Sequence, residues 1–342
     1  MFKNLDGECF GIAGRQNEVV EFALSNGYDG ISVDFTDLHS RAAASGVDFA
    51  ARFLVSAKSL NVGVGRLNFR IDGTDDEFNS DLESLTTIFE IIDAIRGVDK
   101  GENRVDQLSI IVKPFSDKHA YHDNFELHRT RIGQIADKLA EKSIRLGIGI
   151  QAAPSKREGK EFEFVYQPEA LITLVKTIGK SNVGISLNTW DWLVGGGALD
   201  QLSELSADQI VDVTLTDMPN DVDLTTVSNT DRLMPGAGDS AFCVKVCKWL
   251  HENNFAGPIT PGPSSSQFSG SSRDAVIHKA SNAIDEILVE VGAIEPTISP
   301  VAAAAQAAEA AAEAEAAAAA ESEGSETEGS ETKKDETEAV KS

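Results

Sequence analysis

Along this chain, short runs of aliphatic and β-branched residues alternate with longer stretches in which apolar positions return every three or four residues. The short runs read as buried strands and the long ones as amphipathic helices, and their alternation marks repeated βα units around a parallel sheet. Eight strand-like runs recur: CFGIAG from Cys9, GISVDF at 30–35, NVGVGRLNF at 61–69, QLSIIVKPF at 107–115, RLGIGIQAAP at 145–154, NVGISLN at 182–188, IVDVTLTDMP at 210–219 and GPITPGP at 257–263. Between them lie helical patterns such as NEVVEFALSNG, VDFAARFLVSAKSL, DLESLTTIFEIIDAIRG, FELHRTRIGQIADKLAEKS, PEALITLVKTIGK and AFCVKVCKWLHENN.

Eight strands with intervening helices in under 300 residues predict an α/β fold, a (β/α)8 TIM barrel. An open doubly wound sheet would need a glycine-rich phosphate loop after an early strand, and GIAGRQN lacks the G-x-G-x-x-G spacing. Asn17 and Gly27 are expected to bound the first helix, and Asp81 and Gly97 the helix of LESLTTIFEIIDAIRG. After Pro300 the composition changes: VAAAAQAAEAAAEAEAAAAA is alanine and glutamate with no face to bury, and a Ser, Glu, Gly and Thr repeat follows. The expectation is a barrel over 1–295 and a low-complexity acidic C-terminal tail over 296–342, a solvated helix or disordered.

Charge narrows the partners. The chain carries 30 Lys and Arg against 55 Asp and Glu, a formal charge of −25, of which −8 lies from Val301 onward. A surface so acidic repels nucleic acid and anionic membranes, so neither is expected as a partner. No run approaches the roughly 18 apolar residues of a membrane span, and the start of the chain carries no basic and apolar signal, so a cytoplasmic location is expected. The three cysteines include Cys243 and Cys247, four apart on a helical pattern, which reads as packing, not as a disulfide framework.

In such a barrel the chemistry sits at the C-terminal ends of the strands. The polar residues there are Arg15, Asp34, Asn68, Arg70, Lys113, Gln151, Asn188, Asp191, Thr214 and Asp217, with Arg232 in the loop DRLMPGAGD. Of these, Asp34, Lys113, Gln151, Asn188, Asp191, Asp217 and Arg232 are the candidates for holding a polyhydroxylated ligand, and Lys113 and Asp191 the candidates for catalysis. Asp217 bracing its loop and Lys113 pairing with an acidic neighbour are the plain structural alternatives. His119 and His122, in SDKHAYHDNF, are the histidines placed to reach inward from a strand end.

The order GYDGISVDF, RTRIGQIADKLAEKSIRLGIGIQAAP, VGISLNTWDW, IVDVTLTDMP, DRLMPGAGD and FAGPITPGP resembles the xylose isomerase-like TIM barrels, in particular the sugar phosphate isomerase/epimerase family. That resemblance implies a divalent metal held by a Glu ending strand five, an Asp ending strand six, a His on strand seven and a Glu ending strand eight. Carried over, these fall on Gln151, Asn188, Thr214 or Asp212, and Gly262. The His that often follows the strand-six Asp falls on Asp191, and the Glu of the family's PGEG turn on Ala237. An amide brings no charge and takes up no proton at neutral pH, so no metal cofactor is expected at the usual place. Three readings follow: a barrel that binds a sugar-like small molecule or a protein without the family's metal; an active isomerase or epimerase with a rebuilt site, using a divalent metal only if Asp34, Asp191, Asp212 and Asp217 supply it; and a scaffold acting through the acidic tail. The oligomeric state is left open.

Overall fold

In the computed structural model, residues 1–12, 16–55, 57, 59–98, 105–238 and 241–296 are described. Arg15 and the expected tail beyond Pro296 lie outside them. Met1–Ile294 form one compact unit, and a second unit begins at Glu295.

Eight parallel strands close into a barrel. They are β1 (Phe2–Leu5), β2 (Gly30–Asp34), β3 (Asn61–Arg66), β4 (Gln107–Val112), β5 (Arg145–Ile150), β6 (Val183–Asn188), β7 (Ile210–Leu215) and β8 (Pro258–Pro261). Each strand pairs with its sequence neighbours, and β1 closes the ring against β8. A two-residue ribbon, Phe115–Ser116 against Phe162–Glu163, lies outside the barrel sheet. The outer helices are α1 (Gln16–Ser25), α2 (Phe35–Ser45), α3 (Val47–Val55), α4 (Asp75–Val98), α5 (Tyr121–Ala140), α6 (Pro168–Ile178), α7 (Thr189–Val194), α8 (Leu199–Ser203), α9 (Ala241–Glu252) and α10 (Arg273–Glu290). None of the described helices is long and apolar enough to cross a membrane.

The strand faces explain the packing. On β4, Leu108, Ile110 and Val112 are buried and share one face, while Gln107, Ser109 and Ile111 share the other. The strand pairings align Ser32 with Val64, Ser109 with Gly147, and Thr214 with Thr260. The side chains that line the barrel are thus unusually polar and small for a fold whose interior usually carries bulky aliphatic residues. Asn4 anchors this layer, donating through Nδ2 to Ser32 Oγ at 2.9 Å and Thr260 Oγ1 at 3.0 Å. Its Oδ1 meets the backbone of Gly63, where an added Cβ would lie only 2.2 Å away. Gly63→Ala is therefore expected to cost about 1–3 kcal/mol, because Asn4 can retreat only by giving up both bonds. Urea denaturation would register this as a lower midpoint at unchanged slope, and an unchanged midpoint would mean that the Asn4 layer yields freely.

Three expectations are corrected. The first strand is Phe2–Leu5, not the run from Cys9. Gly7–Phe10 instead form a 3-10 turn, capped by Asp6, whose side chain accepts from Glu8 N at 3.0 Å. Asn17 lies inside α1, which starts at Gln16. Asp81 likewise lies within α4, which begins at Asp75 and continues through Gly97 to Val98. Asp81 accepts from Arg70 N at 2.8 Å and Arg70 Nε at 3.0 Å, so its carboxylate ties down the preceding loop. Cys243 and Cys247 are buried and unbridged on α9, packed in the core as expected.

Candidate functional site

Two strands run straight into helices at the C-terminal end of the barrel. Asp34 ends β2 and caps α2, its Oδ1 accepting from Thr36 N at 2.8 Å and Asp37 N at 3.0 Å. Its Oδ2 accepts from Asn68 Nδ2 at 2.9 Å. Asn188 ends β6 and caps α7 in the same way, Oδ1 accepting from Trp190 N at 3.0 Å and Asp191 N at 3.2 Å. An Asp or Asn at this position satisfies amide groups that the first helical turn leaves without partners.

The turn that Asn188 starts delivers Asp191 into the protein. Asp191 is 3% exposed; Oδ1 accepts from Ala152 N at 2.8 Å and Oδ2 pairs with Arg232 Nη2 at 2.6 Å. The Arg232 guanidinium lies 4.6 Å from the ring centroid of the fully buried Trp190, a stacked cation on an apolar face. Burial pushes the Asp191 carboxyl above the usual carboxylate range, while Arg232 and the Ala152 amide oppose that rise.

Deeper in the mouth lies a carboxylate with less support. Asp212 is 6% exposed, and Ser186 Oγ donates to its Oδ2. Burial pushes its pKa up to about 6 against that hydrogen bond and the charges of Arg66 and Arg145. Arg66, from the end of β3, reaches Asp6 Oδ2 and Glu8 Oε2. Burial holds its guanidinium below the ordinary arginine value, with Asp212 acting in the other direction.

These groups line a cavity of about 420 Å³ together with Asn68, Ser109, Ile111, Gln151, Thr214 and Thr260. Ile111 is 52% exposed and presents an aliphatic face to the cavity. A second cavity of about 320 Å³ shares Asp6, Glu8, Arg66 and Asn68 with the first and adds Asp34.

Of the expected site residues, Gln151, Asn188, Asp191 and Arg232 meet in the larger cavity and Asp34 lines the smaller. Two are placed elsewhere. Lys113 is exposed, pairs with Asp72 at 3.0 Å and does not line the cavity. Asp217 is buried under its loop, Oδ2 accepting from Gly236 N at 3.1 Å and Gly238 N at 3.3 Å, beneath the turn that carries Ala237. His119 lies on the segment leading into α5 and His122 in its first turn, and among the described residues no three His, Cys, Asp or Glu side chains converge as metal ligands. His128 packs against Phe164 inside α5, with burial lowering its pKa to about 4.

The sequence reading missed Asp6, Glu8 and Arg66. Placing the first strand too late hid the two acids. Arg66 carried a signal, since it shares the parity of Val62 and Val64 on one strand, yet Asn68 and Arg70 beyond the strand end drew attention instead.

Of the positions where the resemblance implies metal ligands, Asn188 and Asp212 have other engagements, and so has Asp191, where the family's following His falls. Asn188 Oδ1 caps α7, Asp191 is held by Ala152 and Arg232, and Asp212 is bonded to Ser186. Gly262 has no donor, and a Cβ there would come within 2.3 Å of Thr214 Cγ2 and 2.6 Å of Thr216 Oγ1.

No family model matches the sequence, and no curated protein matches it. Solved structures do match. A xylose isomerase domain protein from Alicyclobacillus acidocaldarius is 18% identical with a TM-score of 0.73, over 85% of this chain and 99% of that one. An IOLI protein with a binding zinc atom is 14% identical at a TM-score of 0.66, covering 85% of this chain and 98% of its own. D-psicose 3-epimerase with D-tagatose, from Clostridium cellulolyticum, is 10% identical at a TM-score of 0.64, over 84% and 98%. At these identities the likeness is one of fold: these proteins share the (β/α)8 barrel of this chain.

Proposed function

We propose that the barrel mouth binds a small polyhydroxylated, sugar-like molecule directly through its own side chains, without a divalent metal. The observation that carries this reading is the donor set at the expected metal positions: Gln151 and Asn188 bring uncharged amides, Asn188 Oδ1 already accepts from Trp190 N and Asp191 N, and Gly262 brings no side-chain donor. A hard divalent cation at Gln151 and Asn188 would meet neutral amide oxygens, while of the cavity's carboxylates Asp191 is already paired with Arg232, and Asp6 and Glu8 with Arg66. The residues do not fit such an ion.

What remains suits a polyol. Asn68, Ser109, Gln151, Thr214 and Thr260 offer donors and acceptors in a volume of about 420 Å³, and Ile111 offers an aliphatic surface for the C–H face of a sugar ring. The fold shared with a D-psicose 3-epimerase bound to D-tagatose supports the same ligand class.

The test is metal analysis of the purified full chain by mass spectrometry, with thermal melting in excess Mn2+, Mg2+, Co2+ and Zn2+. The expected result is metal far below one equivalent and melting shifts under about 1 °C. Stoichiometric metal with a shift of several degrees would sink the reading.

A second reading, a rebuilt isomerase or epimerase, draws on Asp212. A cavity-lining carboxylate whose pKa is pushed up to about 6 lies in the range that suits a general base at neutral pH. Hydrogen exchange into a ketose at the carbon beside its carbonyl, followed by NMR in D2O, separates the two: incorporation favours the enzyme and none favours the binder.

A further inference from the structure

We infer, building on the binding reading above, that the ligand is an amino-bearing polyol and not a sugar phosphate or a sugar acid. The charges of the mouth carry the argument. Among the described residues the larger cavity is lined by four carboxylates, Asp6, Glu8, Asp191 and Asp212, and two guanidinium groups, Arg66 and Arg232. Arg232 is committed to Asp191 at 2.6 Å, and Arg66 is shared between Asp6 and Glu8. A phosphate or carboxylate entering this space would have to compete for guanidinium groups that already face acids of the chain, beside two carboxylates in excess.

Asp212 supplies the second, independent observation. It is 6% exposed and lines the cavity, and among the described residues its one hydrogen-bond donor is Ser186, which meets Oδ2. Its Oδ1 takes no hydrogen bond among the described residues. An ammonium group brings both a donor for that oxygen and a compensating charge at a largely buried carboxylate, and charge-assisted hydrogen bonds are the stronger kind. The hydroxyls of the same ligand then fall to the neutral polar side chains nearer the rim.

The experiment is titration calorimetry of the full chain at pH 7.5 with D-glucosamine, D-glucose and D-glucose 6-phosphate. The expected result is D-glucosamine binding about tenfold tighter than D-glucose or better, and the phosphate binding more weakly than D-glucose. In Asp212→Asn the preference of D-glucosamine over D-glucose is expected to fall to about one. Because the three ligands are compared on the unaltered chain, the inference is decided even if the variant fails to fold. Equal binding of D-glucosamine and D-glucose, or tighter binding of the phosphate, overturns the amino-polyol assignment and leaves sugar binding in place. Binding by none of the three overturns both.

Discussion

Replacing Arg232 by alanine is expected to lower the unfolding free energy by about 3–5 kcal/mol, the largest loss anticipated for any single change at the mouth. The reason lies less in the ion pair's attraction than in what is left behind. Asp191 is 3% exposed and keeps a single remaining hydrogen bond, from Ala152 N. Its carboxyl already sits above the usual range because of burial, with Arg232 opposing that rise. Without the guanidinium, Asp191 takes up a proton at higher pH than before, which limits the penalty, and the ring of Trp190 loses the cation 4.6 Å from its centroid. The deficit relative to the parent chain should therefore shrink as the pH falls and Asp191 becomes neutral in both proteins. Arg232→Lys should recover only part of the loss, since an ammonium cannot cover the indole face and reach the carboxylate as a planar fork does. Denaturant titrations at pH 7.5 and pH 5 check this; an Arg232→Ala loss below 1 kcal/mol would show that the pair is solvated and does not organise the mouth.

Asp212→Asn should move stability the other way, raising it by about 2 kcal/mol at pH 7.5. The Asp212 carboxyl is pushed from an ordinary 3.8 up to about 6 by burial. A folded state that holds a proton more tightly than the unfolded chain is favoured below pH 4. That advantage disappears as pH rises through 6, so at neutral pH the native state carries the cost of a poorly compensated charge. Asparagine keeps an acceptor for Ser186 and carries no charge. The melting curve of the variant should lie several degrees above the parent at pH 7.5, and the gap should close below pH 4. No gap at pH 7.5 would mean that Asp212 is well stabilised as an anion.

The barrel itself was legible because its signals are repeated. Seven of the eight strands lie on or within the runs marked by hydrophobic pattern, and α4, α5 and α6 show the periodicity of helices with one buried face. The first strand escaped because FKNL is four residues long and turns Asn4 toward the barrel interior, so it lacks the apolar run that marks a strand. The helix over Phe35–Ser45 escaped for a related reason: it follows β2 without any intervening turn residues. At the site, the named residues Gln151, Asn188, Asp191 and Arg232 all line the larger cavity, while Asp6, Glu8 and Arg66 were missed. Nothing in the spacing of Asp6, Glu8 and Arg66 shows that they meet, because their contact crosses from the turn after β1 to the end of β3. Lys113 was singled out by its position at a strand end, but what matters for chemistry is desolvation, and an exposed ammonium facing Asp72 has little of it.

The caps on β2 and β6 have a consequence for how a guest enters. In an eight-stranded ring these two strands stand four places apart in either direction, facing each other across the opening. At both, the last strand residue is also the cap of the next helix, so no loop separates sheet from helix. A diameter of the rim is thus clamped at both ends by side-chain oxygens that accept from backbone amides. Any widening of the aperture has to come from the arcs on either side, where residues 67–74 follow β3 and residues 262–272 follow β8. The portal thus has one diameter fixed by the fold, and the outline of a guest is set by the residues on the arcs beside it.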